Sequence, residues 1–482
     1  MRNNFMKTLS PYVMAACLAA GCAGSQSKVA GTASLEKPAP MTIVSSTSTG
    51  QFRLRPMREV LLENGLRILF ITDNSLPRVS MTTLVRVGGR HDPQGKEGLN
   101  FVTSQLLEQG TQSRNALAVA DELGELGTEL SIDAGNDFTL VSMDALVNSA
   151  EKMLGLYSDI LMNPAFLDGE VARGKSQTIA QLQKKIDNPS SYAGDAFDAF
   201  LFKGHPYAND VMGSVASVRK LGKQDIIRQY LNNYRPNNAQ VAVVGRINKA
   251  FEGKVVEVFK KWTAKPVKDV ETPELKPIQG LEMKLVTKPG LQQAQIRFGE
   301  YGIRRSDPDF LKLRLANVAL GGEFGSRLNQ RVRDDLGLTY SIYSYFDSRA
   351  DRGPFAISTF TKNETVGRTV DETLKVLADF VEKGITEAEL RAAKEQMLGQ
   401  FPKAIETADR LAYNVLVLNY YGVPLSYLQD FNSNVEALSL KEVNEAIHAH
   451  LDAKNLRILI YADAQRVAGQ LKAYKPVVER AK

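Results

Sequence analysis

From Val60 the chain alternates apolar and polar positions: Leu62, then Asn64-Gly65, then Leu66, Ile68 and Phe70, and again Val79, Met81, Thr83 and Val85. A period of two is that of a half-buried strand, and Asn-Gly between two such runs predicts a hairpin. Gly88-Gly89 ends the alternation, and a helical period follows at about 98–109, 115–127, 147–162 and 169–187, with a strand over Glu129 to Asp144 between them. A helix over 223–233 leads to Arg235-Pro236-Asn237-Asn238 and the apolar run Ala239 to Val244. Periodicity then vanishes from Lys265-Pro266 through Lys276-Pro277, a charged, proline-bearing connector that reads as an interdomain linker.

Past the linker the pattern starts again. Strands are predicted over Met283 to Thr287 and Ala294 to Phe298, then several helices, then a helix Lys441 to His450 ahead of the apolar run Asn455 to Ile460. Leu76 and Leu291 occupy matching places 215 residues apart, and Ile226 and Val443 lie 217 apart. Two nearly equal offsets at opposite ends predict a duplicated domain of about two hundred residues. The expected fold is α+β: two homologous sandwich domains, 54–264 and 281–475, each a mostly antiparallel sheet covered by helices on one face. Joined by the linker 265–280, the halves could close like a clam.

One stretch of the second half carries several local instructions at once. Gly321, Gly322 and Gly325 make a loop, Ser326 is a good N-cap, and Leu328, Val332 and Leu336 predict a short amphipathic helix from Arg327, stopped by Gly337. Tyr340, Ile342, Ser344 and Phe346 then alternate as a strand. Arg333 lies at the edge of the apolar stripe and Tyr340 opens the strand, so the two could face one cavity; the ordinary alternative is a solvated arginine and a core tyrosine.

Length and composition narrow the picture. A chain of 482 residues is too long for one core. A net charge of +6 from 60 basic and 54 acidic residues, without a long basic run, gives no reason to expect nucleic acid as a partner. Arg2 and Lys7, the apolar stretch Pro11 to Ala20 and the ending Leu18-Ala19-Ala20-Gly21-Cys22 resemble a bacterial lipoprotein signal over 1–22, with Cys22 as the lipidated first residue of the mature chain. An ordinary cleaved signal peptide is the alternative; either form exports the protein. Residues 23–53, rich in Ser, Thr, Ala, Gly and Pro, read as a flexible tether. The expected location is lipid-anchored at the periplasmic side of a bacterial membrane, the outer one. The other cysteine, Cys17, lies inside the signal, so the mature chain has no disulfide.

The order of elements, Gly98-Leu99 leading to Gly110-Thr111, His205-Pro206-Tyr207 and the Gly321 to Tyr340 stretch resemble the pitrilysin and insulinase type of metallopeptidases, including the processing-peptidase branch, from about Val60 to Ala468. The resemblance implies an inverted zinc motif, H-x-x-E-H, on the helix after Gly98-Leu99. Its positions fall on Phe101, Ser104 and Gln105, and the family's third ligand falls on Gln181. Zinc needs nitrogen, sulfur or carboxylate donors, which none of these side chains supplies well. His91, His205, His448 and His450 form no visible substitute, so no metal or other cofactor is expected on this chain.

The resemblance also implies an arginine and a tyrosine, seven residues apart, that hold the substrate backbone and the oxyanion formed beside zinc; Arg333 and Tyr340 match that pair. Ser131 and Ile132 stand where asparagine and alanine are usual at the family's peptide-binding strand edge. The expectation is therefore a zinc-free subunit of a heterodimeric peptidase, with zinc and H-x-x-E-H in a homologous partner and an extended peptide as substrate. A catalytically inactive binding or assembly protein is the first rival. A nucleotide-binding protein is the second, because Gly169 to Ser176 fits G-x-x-x-x-G-K-[ST], although no strand precedes it and the helical period runs through it.

Overall fold

The first alternating run folds as a hairpin. Strands β1 (Met57–Leu61) and β2 (Arg67–Thr72) pair antiparallel. Gly65 turns between them at φ +84°, where a Cβ would sit 2.8 Å from Asn237 Cβ. The computed structural model describes residues 54–268 and 270–481. The signal segment 1–22 with Cys22, and the tether 23–53, lie outside the described residues. β3 (Arg78–Val85), β4 (Ser131–Ala134), β5 (Thr139–Leu146) and β6 (Ala239–Gly245) complete a six-stranded sheet ordered β1-β2-β6-β3-β5-β4.

The second half builds the same sheet again from β7 (Glu282–Thr287), β8 (Gln293–Tyr301), β9 (Ile342–Phe346), β10 (Pro354–Lys362), β11 (Arg457–Ala462) and β12 (Val477–Arg480), ordered β12-β7-β11-β8-β10-β9. β7 and β11 run parallel as β2 and β6 do, and the neighbours from β11 to β9 are antiparallel as those from β6 to β4 are. Only the outermost place differs: β1 fills it from the N-terminal side, whereas β12 fills it from the C-terminal side, parallel to β7 and beyond residue 475. The offsets in the sequence thus mark a duplicated topology, two α+β sandwich domains.

Five of the expected helices form as Ala116–Leu126, Ala150–Met162, Asp168–Ile186, Lys223–Asn233 and Leu440–His450, and the one after Gly98 is shorter, Leu99–Gln105. The single strand expected from Glu129 to Asp144 is two, because Gly135-Asn136-Asp137 turns between β4 and β5. Gly88 backs onto that turn so closely that a Cβ on it would lie 2.4 Å from Asn136 O. A helix over Pro189–Leu201, entered through the Asn188 side chain accepting from Ser191 N, has no counterpart in the sequence reading.

That helix decides how the halves meet. The period of two sends Ile68, Phe70, Met81, Val141 and Val243 of the first sheet toward its own helices, and Leu69, Ile71, Leu84, Ala242 and Val244 the opposite way. The second set is covered by the Ala408–Tyr421 helix of the second domain, through Leu411, Val415 and Leu418. In return the Pro189–Leu201 helix of the first domain crosses β8 and β11, where Ala193, Phe197 and Leu201 pack on Ala356, Leu459 and Tyr461. Each sheet is apolar on both faces, which is why Ala239 to Val244 and Ile458 to Ala462 read as unbroken apolar runs. The halves therefore do not swing on the linker as a clam would, since opening would strip the second face of each sheet.

Polar contacts complete the seam. Asp137, 3% exposed, accepts hydrogen bonds from Tyr207 Oη at 2.6 Å, Ala350 N at 2.8 Å and Tyr421 Oη at 3.2 Å, and its carbonyl accepts from Tyr420 Oη at 3.0 Å. Arg78 pairs with Asp409, Arg297 Nη2 donates to Ser190 Oγ at 2.9 Å, and Arg349 sits between Asp347 and Asp198.

Two outcomes follow from this packing. Phe197→Ala empties a fully buried site in the shared core and is expected to cost about 3–5 kcal/mol. In urea, fluorescence of the sole tryptophan, Trp262 in the first domain, and far-UV circular dichroism should shift together to a lower midpoint. Glu300, 8% exposed at the end of β8, accepts from Asp452 N at 2.8 Å, and burial pushes its carboxyl up to about 8. The folded chain then holds a proton that the unfolded chain releases near pH ~4, so this part of the stability is present in acid and lost as pH rises toward 8. Glu300→Gln keeps the acceptor and should flatten the decline in denaturation midpoint between pH 5 and 8.

Candidate functional site

The loop, helix and strand around Arg333 form with two changes. Val318–Gly322 and Asn329–Asp335 both wind as π-helix, wider than the α-helix expected. Leu328 and Val332 still bury completely and Leu336 packs beside them. Ser326 does not cap with its side chain: Asn329 Nδ2 donates to its hydroxyl at 3.1 Å and also reaches Glu323 O at 3.1 Å. Gly337 stops the helix at φ +59°. Gly321 presses against β9, where a Cβ would meet Ser344 Oγ at 2.5 Å, and Asn317 and Ser344 exchange two hydrogen bonds beside it.

β9 begins at Ile342, so Tyr340 stands in the connector ahead of it. The residues on either side are tied to β10: Thr361 Oγ1 donates to Leu338 O at 2.6 Å and Thr359 Oγ1 to Ser341 O at 2.9 Å. Tyr340 itself is 79% exposed, which rules out the core-tyrosine reading. Its neighbour is Arg333, whose guanidinium carbon lies 5.6 Å from the Tyr340 ring centroid and 4.8 Å from that of Phe324. Two other arginines of the segment have close acidic partners, Arg327 with both carboxylate oxygens of Glu389 and Arg331 with Glu372. The nearest acid to Arg333 is the adjacent Asp334 at 3.9 Å, so the aromatic rings hold the guanidinium in place.

Phe324, 75% exposed at the tip of the glycine loop, was not singled out in the sequence. A bulky apolar residue in a loop, outside any apolar period, was the available signal. Tyr343, 47% exposed on β9, packs on Tyr345 with ring centroids 5.9 Å apart. The arrangement presents a guanidinium and a phenol, both hydrogen-bond donors, on an open surface. Such donors suit an extended backbone or a developing oxyanion.

The zinc-motif positions hold nothing comparable. Phe101 packs against the first domain's core, and Ser104 is buried with its hydroxyl donating to Phe101 O at 2.8 Å. Gln105 Nε2 points to Ile132 O at 3.4 Å, and Gln181 is exposed on the Asp168–Ile186 helix. These side chains do not fit zinc. Among the described residues one metal-like trio exists, Asp307, Asp309 and His450, but Lys312 Nζ lies 2.7 Å from Asp309 Oδ1 and Asp307 accepts from Asp309 N. His205 is buried and accepts from Tyr207 N, a structural role. Gly169 to Ser176 lies within the Asp168–Ile186 helix, and Lys175 Nζ donates to Arg219 O at 3.1 Å, so no phosphate-binding loop exists there. Combining Phe101→His, Gln105→His and Gln181→Glu should create a zinc site that retains close to one equivalent of metal after dialysis, measured by atomic absorption, whereas the natural chain retains none.

Comparison with known proteins agrees with this geometry. The family model described as Insulinase (Peptidase family M16) matches residues 67–215, and that described as Peptidase M16 inactive domain matches 220–397. Helicobacter pylori has a similar protein named Non-peptidase homolog YmxG, 26% identical over 407 residues, 83% of this chain and 92% of that one. Bacillus subtilis has one named Uncharacterized zinc protease YmxG, 26% identical over 388 residues, 79% and 92%. The crystal structure of the peptidase M16 inactive domain from Pseudomonas fluorescens superposes with a TM-score of 0.78 at 25% identity, covering 84% of this chain and 98% of that one. A protease from Helicobacter pylori shares the fold at a TM-score of 0.77 and 20% identity, covering 85% and 100%. The two family models together span most of both domains, and this chain belongs to the insulinase, or M16, peptidase family as a member without the zinc motif.

Proposed function

We propose that this chain is the metal-free subunit of an exported heterodimeric zinc peptidase, lending Arg333 and Tyr340 to a homologous partner that carries H-x-x-E-H and its zinc. The observation that carries the reading is the pairing of the two side chains on an open surface, where neither stabilises a core and the guanidinium is held only by rings and a loose contact to Asp334. In this reading the guanidinium binds the substrate backbone and the Tyr340 hydroxyl donates to the oxyanion as negative charge develops. Export and lipid anchoring through Cys22 at the periplasmic side of the outer membrane complete the proposal. Among the described residues no helix is long and apolar enough to cross a membrane.

Loss of every motif side chain also suits a second reading, an inactive homologue that binds or assembles without turnover, and the name of the Helicobacter pylori relative leans that way. Co-expression with a co-encoded homologue carrying H-x-x-E-H separates the two. In an active pair, Tyr340→Phe should lower kcat/KM for peptide cleavage by about 10²–10³-fold, the usual effect of losing one oxyanion donor. The thermal midpoint should stay unchanged because the residue is exposed. An active pair indifferent to the change would rule out the lent-residue mechanism, and a pair without turnover would favour the assembly role.

A further inference from the structure

The period of two places Phe355, Ile357, Thr359 and Thr361 of β10 on one face, the one that Phe355 and Ile357 turn into the second domain's core. The change from apolar residues to threonines falls where the neighbouring chain leaves the sheet. β9 and β10 pair as far as Thr359 opposite Ile342, and β10 continues to Lys362. Leu338 to Ser341, the connector that carries Tyr340, is held to β10 by hydroxyls instead. Thr361 Oγ1 donates to Leu338 O at 2.6 Å and stands 2.7 Å from Thr365 Oγ1. Thr359 Oγ1 lies 2.9 Å from Ser341 O and 3.1 Å from Thr339 Oγ1, which accepts from Ser341 N at 3.1 Å.

Both β10 threonines are 2% exposed, and a hydroxyl so buried is unfavourable unless bonded, whereas valine has nearly the same shape without it. The connector is tied to the Arg333 helix as well, through Gly337 N to Arg333 O and Leu338 N to Val332 O, both at 3.0 Å. The backbone under Tyr340 is thus fixed to the sheet on one side and to the helix of its guanidinium partner on the other. The tyrosine is 79% exposed, so its backbone sets its place. We propose, resting on the peptidase-subunit reading above, that Thr359 and Thr361 are positioning residues that act through Tyr340, holding its hydroxyl where the oxyanion of a bound peptide forms. A displacement of about 1 Å in such a group can lower a rate on the order of 10²-fold.

A double-mutant cycle tests it, on the full chain paired with the co-encoded homologue carrying H-x-x-E-H. Thr359→Val and Thr361→Val should each lower kcat for peptide cleavage about tenfold with little change in KM, and serine at either place should restore it. In a Tyr340→Phe background the valine changes should lower kcat no further, because the group they place is gone. Amide hydrogen exchange of the free chain should rise several-fold over 338–345 in the valine variants and stay unchanged elsewhere. Valine variants that match the natural chain in kcat or in exchange, or a loss that persists undiminished beside Tyr340→Phe, would overturn the proposal and leave the lent-residue reading in place. A pair without turnover, or one indifferent to Tyr340→Phe, would overturn both. Should one valine variant fail to fold, the other decides.

Discussion

Each sheet of this protein has two apolar faces, and each domain's own helices cover only one of them. The rest of the structure depends on how the second face is covered. The Pro189–Leu201 helix crosses to the second sheet and the Ala408–Tyr421 helix crosses to the first, so neither domain has a complete core alone. Burying one large side chain such as Phe197 is worth about 1.5–3 kcal/mol, and the exchange makes many such contacts conditional on both halves being folded. The linker is then a connection between parts already locked together, and Asp137 fixes their orientation through hydrogen bonds from both domains.

A rigid frame matters for what the surface carries. Arg333 and Tyr340 owe their positions to the second sheet: threonines of β10 anchor the connector on both sides of Tyr340, and Gly321 lets the glycine loop close onto β9. Phe324 and Tyr340 then hold the guanidinium from two directions at little cost in entropy. A pair arranged in this way is organised in the free chain, which the proposed role as donors to a transition state needs. Across the chain, the Leu99–Gln105 helix has moved in the opposite direction. Phe101 and Ser104 serve packing and helix hydrogen bonding, so metal chemistry has been replaced by structure.

Local pattern reached most strands and helices, though not β10 or β12, together with the hairpin at Asn64-Gly65 and the duplication, because each of these is set by periodicity or by turn residues close in sequence. What it missed depends on distant partners. Gly135-Asn136-Asp137 carries turn residues that could have split the strand, but the role of Asp137 requires Tyr207, Ala350 and Tyr421 from far along the chain. The Pro189–Leu201 helix has an N-cap and a proline start that could have been read, but its apolar face made sense only against the other domain. Spacing alone let Arg333 and Tyr340 face one cavity and family resemblance supplied their candidate role, whereas their exposure and the third member, Phe324, required the structure.

The central claim is that this chain completes an active site it does not own. The most direct measurement mixes two purified proteins, this chain and the co-encoded homologue with H-x-x-E-H, and follows cleavage of a fluorogenic peptide as the first is titrated into the second. The account predicts little activity from either alone and a rise to a plateau at equimolar ratio, with a one-to-one complex seen by light scattering. Full activity from the zinc-bearing protein alone, unchanged on adding this chain, would contradict it.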